Sequence, residues 1–493
     1  MLSTVALFLL LVLLFWLLFS TGRPKNFPPG PRPLPILGNL LELSLENPVA
    51  DFQRLAKRYG NIYSIFMGPR PAVILNGLEA IKEALVNKAA DFSGRPQSQM
   101  VNRAVQIREN APGLILADYT PNWKEQRRFS LMTLRNFGLG KQSMEQRILG
   151  ELEHITNILE QSVGGTMDPQ LLFHNAASNV MCQVLFAKRY SYDDTFPKFF
   201  VKYFHDTSKI INGFWGMIYD FVPVVRSLPL PFQQAFKLFK IAHKLYDEEV
   251  LESKKTRIPG APKHFIDCYL DEADKRGNEA LFTEDQLATM LVDIHYAGTD
   301  TTANTTLFIL FYLINYPEVQ ERCQQEIDRV LQGKDRVSFE DRHQMPYVQA
   351  VIHEIQRMAN TVPLGVAHCT SRDTELMGFS IPKGTIVITN MASVLFEEGK
   401  WKFPHEFNPE NFLSHQGEFM KPEAFIPFSV GTRMCLGEGL ARMELFLITV
   451  SLLRKFQFVW PEDAGEPDFT PIFGVTQTPK PFRMKIQLRL GSS

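Results

Sequence analysis

The sequence predicts a mainly α-helical protein with small β-sheets, built as one domain over residues 46–493. Long helical patterns dominate, such as Ala235–Lys254 and Thr283–Asn315, whereas strand-like runs such as Ile62–Met67 and Met484–Leu488 are short and few. No linker rich in Pro, Gly or Ser and no internal repeat follows residue 46. One large domain is therefore expected, although 493 residues would on average make about three domains.

Composition excludes several classes of protein. Hydrophobic residues make up 45% of the chain and charged residues 21%, which fits a globular protein rather than a disordered or multi-span one. The 52 Lys and Arg residues balance 53 Asp and Glu, so binding to nucleic acid through phosphate contacts is not expected. Five scattered cysteines without a CxxC pair exclude a disulfide scaffold and a Cys-rich zinc site. The 39 phenylalanines indicate wide aromatic-lined apolar surfaces.

The first twenty residues predict a transmembrane signal-anchor. An unbroken apolar run extends from Val5 to Phe19, close to the shortest length that spans a bilayer. A cleaved signal peptide is the alternative, but no basic residue precedes the run and no small-residue cleavage site follows it. Arg23, Lys25 and Arg32 follow the run, so the positive-inside rule places the main domain on the cytosolic side.

Residues 21–45 form a proline-rich hinge. Proline fixes φ and removes a hydrogen-bond donor, so the segment 27–35 is expected to be a semi-rigid spacer between anchor and domain. A ligand for SH3-type domains is the alternative. A second apolar segment, Phe214–Val225, is consistent either with plain core or with a surface that dips into the membrane.

The most informative stretch surrounds Cys435. Gly431 and Gly437 permit tight turns on either side of it, and a helical pattern begins at Leu440. A cysteine at a helix N-terminus is expected to have a lowered pKa and to form a thiolate. An inert buried cysteine or a thiol nucleophile remains an alternative, but neither explains Phe428 and Arg433. A haem thiolate explains more, with Phe428 covering the ring and Arg433 pairing with a propionate.

The pattern Phe428-x-x-Gly431-x-Arg433-x-Cys435-x-Gly437 resembles the haem-binding signature of the cytochromes P450. The whole chain resembles an animal microsomal P450 of the second family. This resemblance implies the cytochrome P450 fold and haem b as the cofactor. It also implies that Cys435 is the axial iron ligand and that O2 is a substrate.

The long helix Thr283–Asn315 carries an unusual centre, residues 297–302. Gly and clustered Thr are poor helix formers, and a buried Asp or Thr must form hydrogen bonds. A polar helix contact or a kink is the alternative to chemistry. The resemblance implies that Thr301 contacts dioxygen during its activation and that Asp300 delivers protons through water. It also implies that Ala297 and Gly298 leave room for oxygen. At the start of this helix, Thr283 and Gln286 predict a capping box.

Further site residues are implied by the resemblance alone. Glu354 and Arg357 match a buried structural ion pair, in which the uncharged Asn411 can supply only a neutral hydrogen bond. Without the resemblance, the charged residues of such pairs suit ordinary surface contacts, and apolar candidates for the site suit packing positions. Besides Arg433, the residues implied to bind the haem propionates are Trp123, Arg127, His368 and Arg95. Those implied to contact substrate are Ile294, Tyr296, Ala297, Val362, Val366, Phe473 and Val475.

The resulting prediction is a haem-thiolate monooxygenase on the cytosolic face of the endoplasmic reticulum, acting on a lipophilic substrate. No nucleotide-binding motif occurs, so electrons are expected from NADPH–cytochrome P450 reductase, with cytochrome b5 as a second donor. An isomerase or dehydratase of lipid peroxides and a membrane-tethered lipid-binding protein are the alternatives. The basic residues expected to contribute to a docking face for the reductase are Arg128, Arg135, Lys421 and Arg442.

Overall fold

The computed structural model describes residues 23–34, 37–44, 46–105, 111–137, 142–212, 214–221, 223–277 and 281–489. The predicted anchor, residues 1–20, lies outside these described residues. Within them, no helix is both long enough and apolar enough to cross a bilayer.

Helices make up most of the fold. In chain order they are α1 (Pro48–Tyr59), α2 (Leu78–Lys82), α3 (Ala89–Phe92), α4 (Gln99–Val105), α5 (Pro121–Phe137), α6 (Gln142–Gln161), α7 (Gln170–Phe186), α8 (Thr195–Asn212), α9 (Phe214–Phe221), α10 (Pro231–Thr256), α11 (Phe265–Arg276), α12 (Glu284–Asn315), α13 (Pro317–Leu331), α14 (Pro346–Met358), α15 (Met391–Leu395) and α16 (Glu438–Lys455). Short 3-10 turns cover Leu40–Glu42, Pro223–Ser227, Phe339–Gln344, Pro409–Phe412 and Gly431–Arg433, and a π-helical turn covers Glu83–Asn87.

The strands form three small sheets. They are β1 (Ile62–Met67), β2 (Arg70–Leu75), β3 (Thr166–Met167), β4 (His368–Cys369), β5 (Thr374–Leu376), β6 (Phe379–Ile381), β7 (Ile386–Thr389), β8 (Phe456–Val459) and β9 (Met484–Leu488). The sheet orders are β1-β2-β7-β4, β3-β9-β8 and β5-β6, and among these pairs only β2 and β7 run parallel. The register pairs His368 with Val387, which places His368 at the edge of the first sheet.

The prediction of a mainly helical fold with small sheets is confirmed. Helix α12 begins one residue after the predicted Thr283 and ends at the predicted Asn315. The capping box is only half formed. Thr283 accepts a hydrogen bond from the backbone N–H of Gln286, but the amide of Gln286 pairs with the backbone of Gly113 instead. A tertiary contact therefore replaces the second half of the local motif.

The described part of the proline-rich segment packs against the main domain. The Ser64 hydroxyl on β1 donates to the carbonyl of Pro28 at 2.7 Å, and the Ser64 backbone N–H donates to that of Pro29 at 2.6 Å. Phe27 is buried in the main core. These contacts fix residues 27–29 of the segment to the main domain.

Helix α12 runs through the centre of the core. Most of its residues are buried, and it packs along α7 and α16. The close approach to α7 depends on Gly298, because a Cβ atom there would overlap the Met181 sulfur. The missing side chain of Gly298 therefore makes room for Met181 of α7. The expectation that Gly298 also leaves room for oxygen stays a prediction.

Candidate functional site

The loop around Cys435 is held by its own backbone. The Cys435 N–H donates to the carbonyl of Phe428 at 2.9 Å, which closes the loop just before α16. Ser429 and Gly431 both have positive φ, 62° and 79°. A side chain at Gly431 would overlap the carbonyl oxygen of Leu85, so this position requires glycine for both backbone conformation and space.

The thiol of Cys435 is subject to opposing effects. The side chain of Cys435 has exposed surface, but desolvation by the protein groups packed around the sulfur raises its pKa, whereas hydrogen bonds from the backbone N–H groups of Gly437 and Glu438 and the charge of Arg127 act to lower it. The net direction is upward, so the expectation of a lowered pKa is wrong for the protein's own groups. The N–H groups at the start of α16 nevertheless favour negative charge on this sulfur.

Arg433 lies next to this loop with one nitrogen unused. Its Nε donates to Ser93 O at 2.9 Å and its Nη2 to Ala117 O at 2.8 Å. The guanidinium lies 3.7 Å from the centre of the Trp123 ring. Its Nη1 is buried and has no hydrogen-bond partner in the described part of the chain. A buried N–H of a cation requires an acceptor, which indicates an anionic ligand.

Other cations crowd around Arg433. The pKa of Arg95 is lowered to about 9 by burial and by the charges of Arg433 and Arg127. The pKa of Arg433 is lowered to about 10 by burial and by the charge of Arg127. Burial, Arg95 and Arg433 lower the pKa of His368 to about 3, so this imidazole is neutral. Like charges held together in the interior are costly without a counter-charge. The two carboxylates of a haem would supply it, and the residues present therefore fit the group.

The other predicted propionate contacts lie in the same region. Trp123 donates its indole N–H to Leu114 O at 2.9 Å, and Arg127 donates to the carbonyl of Met434. His368 Nδ1 bonds Phe92 O at 2.8 Å. The structure thus brings all five predicted residues to one side of the Cys435 loop, although the indole N–H of Trp123 already has a backbone partner.

Thr301 and the Cys435 loop share one cavity. The Thr301 hydroxyl donates to Ala297 O at 2.6 Å, as expected for a buried threonine in a helix. Thr301, Phe428 and Ala441 are among the residues that line a cavity between α12, α16 and the loop. The hydroxyl is therefore held close to the space that adjoins the loop.

Asp300 lies in a polar network that the sequence did not reveal. Its Oδ2 accepts hydrogen bonds from the Thr476 hydroxyl and, at 3.3 Å, from Asn304 Nδ2. Its Oδ1 is 3.5 Å from Nε2 of His174 on α7. No local pattern could have identified Thr476, which is 176 residues away.

The predicted substrate residues come from three parts of the chain. Ile294, Tyr296 and Ala297 lie on α12, and the Tyr296 ring is 4.9 Å from that of Phe204 on α8. Phe473 and Val475 lie in the hairpin loop after β8. The connection after α14 meets this loop, since Gln477 N donates to Thr361 O at 2.6 Å. That connection carries Val362 and Val366.

Sequence reasoning also missed Asp293, which fixes the loop before α5. Its Oδ2 accepts from the backbone N–H groups of Leu114 and Ile115 at 2.6 and 3.0 Å. Burial raises the pKa of Asp293 to about 6, and the two N–H groups oppose that rise. This loop also supplies the acceptors for Arg95 and Trp123, so Asp293 indirectly supports the cation cluster.

The predicted docking residues differ in their surroundings. Arg442 is bound to Glu438 at 2.7 Å and donates to Nε2 of His353 at 2.7 Å. Arg128 pairs with Glu125 at 2.8 Å but stays largely exposed. Lys421 lies 3.6 Å from Glu438, and Arg135 is exposed.

Comparison with known proteins identifies the family. The family profile described as Cytochrome P450 matches residues 28–486. The chain is 41% identical to Cytochrome P450 2D15 of Canis lupus familiaris, over 98% of this chain and 97% of that protein. It is 42% identical to Cytochrome P450 2D14 of Bos taurus (97% and 96% covered) and 39% identical to Cytochrome P450 2F2 of Mus musculus (94% of each). The chain therefore belongs to the cytochrome P450 family, the haem-thiolate monooxygenases that use O2 and electrons from NADPH.

Proposed function

We propose that this P450 uses Cys435 as its axial haem ligand and acts on lipophilic substrates at the endoplasmic reticulum membrane. Bound haem b supplies the oxidation chemistry, in which one atom of O2 enters the substrate and the other is reduced to water. Candidate substrates are xenobiotics, fatty acids and steroids. The observation that carries the proposal is the buried Nη1 of Arg433, two residues from Cys435, which has no hydrogen-bond partner among the described residues.

The cation cluster is proposed to bind the two haem propionates. Arg433, Arg95 and Arg127 provide charge, while neutral His368 and Trp123 complete the wall. A buried carboxylate next to several cations costs less than either charge buried alone, because their attraction offsets the desolvation of both. The same arrangement orients the cofactor relative to Cys435, since Arg127 also donates to the carbonyl of Met434.

Thr301 and Asp300 are proposed as the catalytic residues for proton delivery. Thr301 lines the shared cavity, and its hydroxyl can exchange its bond to Ala297 O for one to a reacting oxygen. Asp300, the residue before Thr301, carries a carboxylate that can relay protons through water. This pair favours a monooxygenase over an isomerase of lipid peroxides, which needs no protons for dioxygen.

The substrate is proposed to lie between α12, the connection after α14 and the loop after β8. The seven predicted contact residues are apolar or aromatic, which suits a lipophilic molecule. Tyr296 is half-buried beside Phe204, where it narrows the pocket or offers a hydroxyl to the substrate.

Membrane and partner assignments are also proposals. Residues 1–20 are proposed as the single-pass anchor, with residues 21–45 as the hinge and the domain in the cytosol. The exposed Val224, beyond α9, suits an additional contact with lipid. NADPH–cytochrome P450 reductase is proposed to dock on a basic surface that includes Arg128 and Arg135, and cytochrome b5 serves as a second electron donor.

Reconstitution with reductase tests the proposal. The full chain in lipid should oxidise members of a panel of fatty acids, steroids and drug-like molecules only when NADPH, reductase and O2 are all present. Cys435→Ser should abolish the red-shifted carbon monoxide spectrum of reduced thiolate haem, whereas Cys268→Ser, outside the site, should retain it. Turnover of a lipid hydroperoxide without NADPH would favour the isomerase instead. A colourless purified protein would favour a lipid-binding protein.

A further inference from the structure

We infer that Thr476 is a positioning residue that ties the catalytic carboxylate of Asp300 to the loop carrying the substrate contacts. Substrate binding at this loop and proton delivery on α12 would then depend on one hydroxyl. The inference rests on the proposed roles of Asp300, Phe473 and Val475, and it assigns a new role to Thr476.

The loop is a tight hairpin tip. Ile472 and Thr478 pair through two backbone hydrogen bonds of 2.8 and 3.1 Å, which leaves residues 473–477 at the tip. Phe473 and Val475 lie on this tip, and Thr476 follows directly. A movement of the apolar side chains at the tip therefore moves Thr476 as well.

The hydroxyl of Thr476 bonds two residues of α12. It donates to Oδ2 of Asp300 and accepts a hydrogen bond from Asn304 Nδ2 at 3.1 Å. Asn304 also donates to the same Asp300 oxygen at 3.3 Å, which closes a three-membered ring of hydrogen bonds. Only 14% of the Asp300 side chain is exposed, so few waters can replace a lost partner.

The opposite oxygen of Asp300 has a different neighbour. Its Oδ1 is 3.5 Å from His174 Nε2, while His174 Nδ1 lies 2.8 Å from Gln170 O. This contact is longer than an ordinary hydrogen bond. Thr476 and Asn304 therefore provide the closer contacts that define how the carboxylate is oriented.

Four variants of the haem-loaded full chain test the inference. Thr476→Val removes the hydroxyl at nearly constant shape, and Thr476→Ser retains it. Asp300→Ala removes the acceptor. Thr478→Val is the matched control, because the Thr478 hydroxyl is in the same hairpin but lacks a hydrogen-bond partner within the described ranges.

Amide hydrogen exchange over residues 471–479 is the first measurement. A hydrogen bond to a charged group is strong enough that Thr476→Val and Asp300→Ala should each speed exchange by roughly tenfold. Thr476→Ser and Thr478→Val should exchange like the wild type. Unchanged exchange in Thr476→Val would overturn the inference, and this readout does not depend on turnover.

The second measurement is the yield of product per NADPH, with reductase present. Thr476→Val should lower this yield and release more hydrogen peroxide, and Thr476→Ser should restore it. Adding Thr476→Val to Asp300→Ala should change nothing further, since the two residues act through one contact. A full additional loss in the double variant would overturn the inference. If Asp300→Ala leaves the yield unchanged, the proposed role of Asp300 is wrong. If Asp300→Ala lowers the yield but Thr476→Val does not, only the inference about Thr476 is wrong.

Discussion

Glu354 and Arg357, three residues apart on α14, form a bidentate ion pair in which both side chains are completely buried. The two contacts, Nε to Oε2 and Nη2 to Oε1, are each 2.7 Å long. Asn411 donates to the same carboxylate at 3.1 Å, which confirms the predicted neutral third partner. The remaining N–H groups of Arg357 donate to the carbonyls of Leu395, Phe403, Pro404 and Glu406.

Breaking this pair should destabilise the protein strongly. In Arg357→Met, Glu354 would remain as a buried charge without its partner, and four backbone carbonyls would lose their donor. We expect a loss of about 3–5 kcal/mol in unfolding free energy and a low haem content. Thermal unfolding and the absorbance of bound haem measure both effects.

The matched control is Arg128→Met, which breaks an exposed Glu-Arg pair with the same three-residue spacing on α5. An exposed pair of this kind contributes little to stability because water screens its charges, so this variant should unfold close to the wild type. Equal losses in the two variants would show that burial of the Glu354–Arg357 pair is not what stabilises the fold.

Two glycines beside Cys435 should respond differently to the same substitution. Gly431→Ala would force a side chain against the Leu85 carbonyl at a φ of 79°, so the loop must shift. Gly437→Ala would meet nothing within 4 Å. We expect Gly431→Ala to lose most of the thiolate-type carbon monoxide spectrum and Gly437→Ala to keep it. The reverse order would contradict the proposed geometry of the loop.

The free energy of unfolding should depend on pH through Glu444 on α16. Burial raises its pKa to about 8, opposed only by a hydrogen bond from Thr302, and its Oε1 has no partner among the described residues. The folded protein therefore retains this proton at pH values where the unfolded chain has lost it. The stabilisation is complete below the ordinary Glu pKa of about 4.3 and is lost as pH rises to about 8, by on the order of 5 kcal/mol.

Glu444→Gln should remove this dependence, since an amide does not titrate. Between pH 5 and pH 8, the unfolding midpoint of the variant should fall less than that of the wild type. Thermal unfolding of the haem-loaded protein measures both midpoints. Glu462→Gln, at an exposed carboxylate, serves as the control and should follow the wild-type curve. Parallel curves for all three proteins would show that Glu444 does not titrate as described.

Local chemistry made much of the fold and site predictable from the sequence. The turns around Cys435 depend on nearby glycines, and the spacing of Glu354 and Arg357 places both on one face of a helix. The long apolar pattern of α12 likewise predicted its limits to within one residue. Each of these features depends on residues close together in the chain.

Contacts between distant segments could not be predicted in the same way. The partners of Asp300 come from α7 and from the hairpin after β8, and neither segment carries a distinctive motif. The contact between Gly298 and Met181 could not be predicted either, because Met181 belongs to another helix. The pKa of Cys435 was misjudged because desolvation by groups from distant parts of the chain outweighs the local N–H groups.

Thr301→Val tests whether the hydroxyl, rather than the shape, of this residue is required. Valine is also β-branched, so α12 should retain its packing while the hydroxyl of this cavity-lining residue is lost. Positioned proton transfer typically contributes about 10²–10⁴-fold, so we expect product per NADPH to fall at least tenfold while peroxide release rises. The carbon monoxide spectrum should be unchanged.

Thr306→Val is the control. The Thr306 hydroxyl forms the same kind of bond, to Thr302 O at 2.9 Å, but Thr306 lines a different cavity. Equal uncoupling in both variants would indicate general damage to the helix and would contradict a specific role for Thr301.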